Sequence, residues 1–260
     1  MKQKLLIFSL IAAAMMTSCS TEYKLAKSFV KQSKDSNVAI YFPEKADVQN
    51  ARDEQSGREM IVLCDLDQDL FLNLVYAAYK KTLKDYGLKI YQPDDPENVQ
   101  VDSAHWLAIL SKMEIQEKIT EYEDYWFDAD NTYSYIYPLN TVNVASWFDL
   151  NNQQWSPALY VEKDIVDGFD SKVDFAFWTG QSSYSYAIDT LQARDIYNFA
   201  IYLGKLYAGY TYDYFLNDYI SDNLKAKDMT QRFYYRYDPY LKKILFTEDG
   251  DLFIRLTEEK

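Results

Sequence analysis

Residues 113–137 read MEIQEKITEYEDYWFDADNTYSYIY. Met113, Ile115 and Ile119 alternate with Glu114, Gln116 and Lys118, the period of two that sends successive side chains to opposite faces of a strand. The pattern runs on into Tyr125-Trp126-Phe127, meets turn residues at Asp128-Ala129-Asp130-Asn131, and resumes through Tyr133, Tyr135 and Tyr137 towards Val142, Val144 and Phe148. Two long antiparallel strands joined at a tip are the reading this spacing dictates. Tyr133, Tyr135 and Tyr137 then share one strand face, with Trp126 and Trp147 on or near the paired strands.

Outward from this hairpin the elements are mixed. Val38–Phe42, closed by Pro43, reads as a buried strand, and Met60–Cys64 as a second short one. A helix is expected from Asp67 to Tyr86, with Leu70, Phe71, Leu74, Val75, Ala78 and Leu83 on one face and Gly87 as its stop. Leu88–Tyr91 returns as a strand, and Leu159–Val166 is another. Beyond it, Ile196, Phe199, Ala200, Leu203 and Tyr207 repeat at helical spacing, with Ala200, Gly204 and Ala208 forming a small-residue stripe suited to close approach. A second helix is expected over 213–224, a cap of a further short helix at Asp238-Pro239, and a closing hairpin of Ile244–Phe246 with Leu252–Leu256. The fold class is therefore α+β: a mixed, largely antiparallel sheet with a strand–helix–strand start, a β-meander and C-terminal helices packed on the sheet.

The first residues carry an address. Lys2 and Lys4 precede an apolar run of twelve, residues 5–16, too short for a permanent membrane span but suited to a signal-peptide core. Met16-Thr17-Ser18-Cys19 follows and resembles a bacterial lipoprotein lipobox. The resemblance implies cleavage after residue 18 and a lipid-modified Cys19, with several acyl chains, palmitate among them, giving stable anchoring. Removing residues 1–18 takes away two lysines and no acid, moving the net charge from −13 to −15. Ser20 after the cysteine resembles an outer-membrane signal, and the paucity of acids beyond Glu22 points to the periplasmic face. The 25 tyrosines and seven glycines resemble Bacteroidota usage. The organisation expected is a signal peptide over 1–18, a lipidated N-terminus and tether over 19–37, an α/β sheet module over 38–168, and a C-terminal helical region with closing hairpin over 169–260. Within the tether, Leu25, Phe29 and Val30 could dock.

This element order, over roughly residues 38–222, resembles the amino-terminal domain of TolB and the lipoproteins that activate penicillin-binding synthases, while Tyr202-Leu203-Gly204-Lys205-Leu206-Tyr207-Ala208 followed by Arg232-Phe233-Tyr234-Tyr235 resembles uncharacterised Bacteroidota lipoproteins. In such families the module works by contacting other envelope proteins, and no catalytic residue is implied.

Chemistry-bearing patterns are few. Forty acidic against 27 basic residues exclude a nucleic-acid binder with a basic face. One histidine, His105, excludes a site of two imidazoles, and no phosphate-cradling glycine string exists. Leu63-Cys64-Asp65-Leu66-Asp67 has the outline of a phosphatase nucleophile strand, but Asp67 and Asp69 also suit the N-terminus of the following helix. Gly180-Gln181-Ser182-Ser183 begins like a nucleophile elbow and lacks its second glycine. Cys64, the one thiol left after maturation, reads as a small core residue. Glu121, Glu123, Asp124, Asp128 and Asp130 cluster near the hairpin tip as a solvated turn, with a weak Ca²⁺ site as the alternative. No cofactor or metal is expected. The expectation for function is a non-enzymatic, outer-membrane-anchored scaffold or binding module whose partner is an envelope protein, reached through Tyr133, Tyr135, Tyr137, Trp126 and Trp147. A glycan-binding lipoprotein is the alternative and a hydrolase ranks third.

Overall fold

The computed structural model describes residues 21–52, 59–91, 101, 105–128, 131–151, 159–178 and 180–247. Its architecture is α+β, with helices on one face of a mixed sheet. The strands β1 (Asn37–Tyr41), β2 (Asp47–Asn50), β3 (Lys89–Tyr91), β4 (His105–Asp128), β5 (Asn131–Leu150) and β6 (Leu159–Val166) form a six-stranded sheet in the order β3-β1-β4-β5-β6, β2 lying against β4 further along its length. β1 is parallel to both β3 and β4, whereas β4, β5 and β6 form an antiparallel meander. The strand–helix–strand start and the meander are as the hydrophobic periodicity dictates.

Between β1 and β3 the chain forms α2 (Gln68–Asp85), preceded by α1, described over 21–32. Asp67 caps α2, its carboxylate accepting from the Leu70 N–H at 2.9 Å. The other end closes as the glycine signal required. Gly87 sits at φ +95°, its N–H bonds to Lys84 O, and the Leu88 N–H bonds back to Leu83 O. Phe71, Val75, Tyr79 and Leu83 form the buried stripe.

The long helix α3 (Ala193–Lys225) opens with a capping box of Gln192 and Asp195 and continues for 33 residues, roughly 50 Å. Two helices were expected here. One forms, because the stretch at the join is held on both sides. Thr211 accepts from Tyr79 Oη at 3.0 Å, Tyr212 pairs with Ser33 at 2.9 Å, and Asp213 is buried. Gly204 explains how closely α2 and α3 pack: a Cβ there would stand 2.3 Å from Val75 O and 2.9 Å from Tyr79 N. Tyr207 of α3 reaches the sheet and pairs with Ser146 of β5 at 2.8 Å.

Several local expectations need correction. Residues 21–32, suited by composition to a tether, form α1. Ala26 and Phe29 are buried on one stripe, and Phe29 stacks on Trp106 at 5.2 Å. The stretch around Cys64 is a 3-10 turn rather than a strand, so Val62 and Leu63 point inwards and the Cys64 thiol is exposed. The first part of the expected C-terminal helical region is a hairpin, β7 (Gly168–Ala176) with β8 (Gln181–Asp189). Asp238-Pro239 turns a hairpin instead of capping a helix: the Asp238 carboxylate accepts from the N–H groups of Tyr240 and Leu241 at 2.8 Å. That hairpin joins β9 (Tyr234–Asp238) to β10 (Lys243–Thr247), so Ile244–Phe246 pair backwards in sequence. The expected partner at Leu252–Leu256 lies outside the described residues, as do Cys19 and Trp155.

Candidate functional site: an aromatic arm

The meander strands differ greatly in length, and this difference builds the site. β2 leaves β4 at Glu117 and β6 leaves β5 at Thr141, yet β4 and β5 stay paired to Asp128 and Asn131. The last ten or so pairs therefore project from the body as a two-stranded arm, roughly 30 Å long. An isolated hairpin is marginal in water, and here β7–β8 covers one face of it. On the shared surface Trp126 stacks on Tyr133 (4.5 Å, 17°) and on Tyr184 (5.8 Å, 15°), and Tyr184 stacks on Tyr135 (5.3 Å, 16°). Nearer the body, Tyr137 packs on Phe169 and Tyr186, and Tyr122 on Phe169.

A polar seam runs through these rings. Tyr137 Oη donates to Tyr184 Oη at 3.0 Å, which donates to Asp124 Oδ2 at 2.7 Å. Hydrogen bonds from Ser171 and Tyr184 hold the Asp124 carboxyl below its usual range, and those from Ser134 and Tyr125 do the same for Glu123. Desolvation and the hydrogen bonds to Tyr137 and Asp124 push the Tyr184 hydroxyl well above the ordinary phenol value, so it remains a donor.

Four of the five residues singled out by sequence thus converge: Trp126, Tyr133, Tyr135 and Tyr137. Trp147 does not. It lies ten residues along β5 from Tyr137, roughly 33 Å, between Tyr160 (5.0 Å) and the Lys112 ammonium (5.0 Å). The converging rings are not a bare platform either, for they spend their faces on one another. What the arm offers outwards is its end. Trp126 against Tyr184 aligns the two hairpins with their turns at the same extremity, where Phe127 is 72% exposed, Phe175 61%, Phe177 81% and Trp178 95%. Sequence reasoning missed β7–β8, although Phe169, Ser171, Val173 and Phe175 alternate towards Gly180 and Tyr184, Tyr186 and Ile188 alternate away from it.

The other candidates separate in space or take structural duties. His105 begins β4 at the foot of the sheet, against β1 and the Tyr91 ring (6.4 Å), whereas Ser182 lies near the arm's end. Asp67 is a helix cap and Asp65 belongs to the exposed 3-10 turn. Among the described residues no group of three or more His, Cys, Asp or Glu could hold a metal ion. Of the five tryptophans, Trp106 is buried and Trp126 and Trp147 are half-buried, so no two are both coplanar and open to solvent among those described. A cleft of about 580 Å³ at the foot of β4 is lined by Trp106, Phe29, Phe215, Asn151 and Asp218. Burial and the neighbouring Asp222 raise the Asp218 carboxyl above its ordinary value.

No protein-family model matches this chain, and no curated protein does. Among solved structures it is similar to one described as a neuraminyllactose-binding hemagglutinin homolog from Helicobacter pylori. The identity is 11% and the TM-score 0.34, over 72% of this chain and 90% of that one.

Proposed function

We propose that this chain is a bacterial envelope lipoprotein, held at the outer membrane by lipid on Cys19 and facing the periplasm, that docks a protein partner through the end of its arm without catalysing a reaction. The observation that carries the reading is the exposed pair Phe177 and Trp178, packed edge to face at 6.1 Å where β7 turns into β8, with Phe175 and Phe127 also exposed towards the same extremity of the arm. Monomeric soluble proteins seldom leave such a patch unused, and large aromatic side chains are the usual anchors of protein interfaces. A protein partner accounts for the patch better than a glycan does, because sugar rings need free aromatic faces and the inner rings of the stack, Trp126 and Tyr184, are covered on both sides, leaving only the outer Tyr133 and Tyr135 partly open.

The test is photo-crosslinking in intact cells from a reactive residue at position 178. A reproducible protein adduct supports the reading. No adduct, together with retention of the protein on a polysaccharide, overturns it in favour of the glycan alternative. Mass spectrometry of the membrane fraction tests the anchor separately. An unmodified N-terminus at another residue counts against it.

A further inference from the structure

In a chain of net charge −13, the positions of the lysines are informative. Along α1 and the turn that follows, Glu22, Ala26, Phe29 and Ser33 are buried, whereas Lys24, Lys27, Lys31 and Lys34 are exposed. The two sets interleave at spacings of three and four, so they occupy opposite sides of the helix. Glu22 fixes the helix in place: its carboxylate accepts from the N–H groups of Arg232 and Phe233 at 2.9 and 3.2 Å and from Tyr235 Oη at 3.3 Å. That latch brings β9–β10 alongside. Lys27, Lys242 and Lys243 then line one cleft of about 420 Å³ with Tyr23, Tyr237 and Ile244, and no carboxylate is among its lining residues. Next to these lysines, the β9–β10 turn presents Tyr240, 76% exposed, and Leu241, 65% exposed. Among the described residues, no ion pair engages any of the six lysines. Of the nearby acids, Glu22 is buried, Asp213 faces Arg236, Asp85 accepts from Tyr240 Oη and Asp238 holds the turn, whereas Asp218 and Asp222 line a separate cleft on the Phe29 and Gln32 side of α1, Asp222 pairing with Lys225. The exposed acids of the arm, Glu121, Glu123, Asp170 and Asp174, lie at the other end. Phe127 is 21 residues along β4 from Trp106, on which Phe29 of α1 stacks, and that is roughly 70 Å.

We propose that the lysine face of α1, together with Tyr240, Leu241, Lys242 and Lys243, is a docking surface for an anionic phospholipid bilayer. Exposed lysines meet the headgroups, and the aromatic and aliphatic pair enters the interface. Charge selects the occupant, because this is a basic face on an acidic protein. Its place in the chain agrees: if Cys19 carries lipid, only Ser20 and Thr21 separate it from buried Glu22, so the anchored bilayer must lie against this end. In that respect the inference rests on the proposed anchor. The bilayer surface itself is defined by described residues alone.

The test therefore omits the lipid. The described core is built from residue 22 onwards, so a chain beginning at residue 19 and carrying Cys19→Ser retains it. Flotation with vesicles of phosphatidylcholine alone and of phosphatidylcholine with one quarter phosphatidylglycerol, at low and high salt, reads binding directly. Selective binding to the anionic vesicles, weakened by salt, is expected. The triple variant Lys24→Gln, Lys27→Gln and Lys31→Gln should reduce it about a hundredfold, at about fivefold per lysine, with an unchanged melting curve. Tyr240→Ser with Leu241→Ser should weaken binding to the same vesicles. Equal partitioning to neutral and anionic vesicles, no binding to either, or full binding by the lysine variant overturns the proposal. Inorganic phosphate at millimolar concentration should not compete, and full competition would assign the lysines to a free anion instead. Because the protein is unlipidated, none of these outcomes depends on whether Cys19 is modified in cells.

Discussion

Glu117 of β4 reaches across to Val62: its Oε2 accepts the Val62 N–H at 3.0 Å, with Leu63 N–H on the same oxygen at 2.9 Å and Ile61 N–H on Oε1 at 2.8 Å. A fully buried carboxylate thus supplies the acceptors that the 61–63 segment cannot find in any ladder. Glu22 does the same for residues 232 and 233, and Asp167 for the N–H groups of Asn140 and Leu191. These acids are structural staples.

Glu117→Gln should cost about 1–3 kcal/mol, since an amide replaces one charged acceptor oxygen with a donor facing a backbone N–H. Urea denaturation measures it. A change within experimental error would show that the three contacts do not hold the segment.

Gly204→Ala gives a prediction whose sign is at stake. Helix propensity alone favours alanine by about 1 kcal/mol. The new Cβ would meet Val75 O at 2.3 Å and Ala78 Cβ at 2.8 Å, which α2 cannot yield without moving. Net destabilisation of about 1–3 kcal/mol is expected, read as a lowered melting temperature. A gain in stability would mean that the two helices pack less closely.

Asp213 makes stability depend on pH. Burial pushes its carboxyl up to about 7, against the opposing pull of Arg236 at 2.9 Å and the Tyr237 N–H. The folded value lies above the ordinary 3.8, so the protonated form is favoured by folding. The stability linked to this group is complete below pH 3.8 and is lost as pH rises to 7, on the order of 1.4 kcal/mol per pH unit. Denaturation of the native chain and of Asp213→Asn across pH 4–8 should show the native chain losing ground relative to the variant up to pH 7 and then running level. A constant difference over that range refutes it.

Phe177→Ser combined with Trp178→Ser should leave the melting temperature within a degree or two, because both side chains stand in solvent. The same variant should abolish capture of the arm's partner. Retained capture would move the docking surface elsewhere on the protein.

The hairpin β4–β5, the helix α2 and the close-packing glycine were legible because each is encoded by nearest neighbours: period two, period 3.6, and a small residue amid large ones. Two features were not, for one physical reason. The docking of α1 and the continuity of α3 through Thr211 and Tyr212 depend on contacts such as Glu22 with Phe233, separated by 211 residues. No local window contains such a pair. The candidate site was half legible. Tyr133, Tyr135 and Tyr137 were found by alternation, but their covering strand β8 was read only as a failed nucleophile turn. Cys64 was misplaced because a 3-10 turn and a short strand look alike over five apolar residues.

One strand, β4, serves as both the floor of the body and the spine of the arm, paired with β5 along nearly its whole length. The arm consequently has no joint at its root. A flexible leash would let a captured molecule wander through a volume set by chain statistics, whereas a continuous ladder behaves as a cantilever. Whatever grips Phe177 and Trp178 loads β7–β8, which is seated on this cantilever by the stack of Tyr184 on Trp126 and Tyr135 and tied to the body by the Asp167 carboxylate, so it is kept at a stand-off from α1.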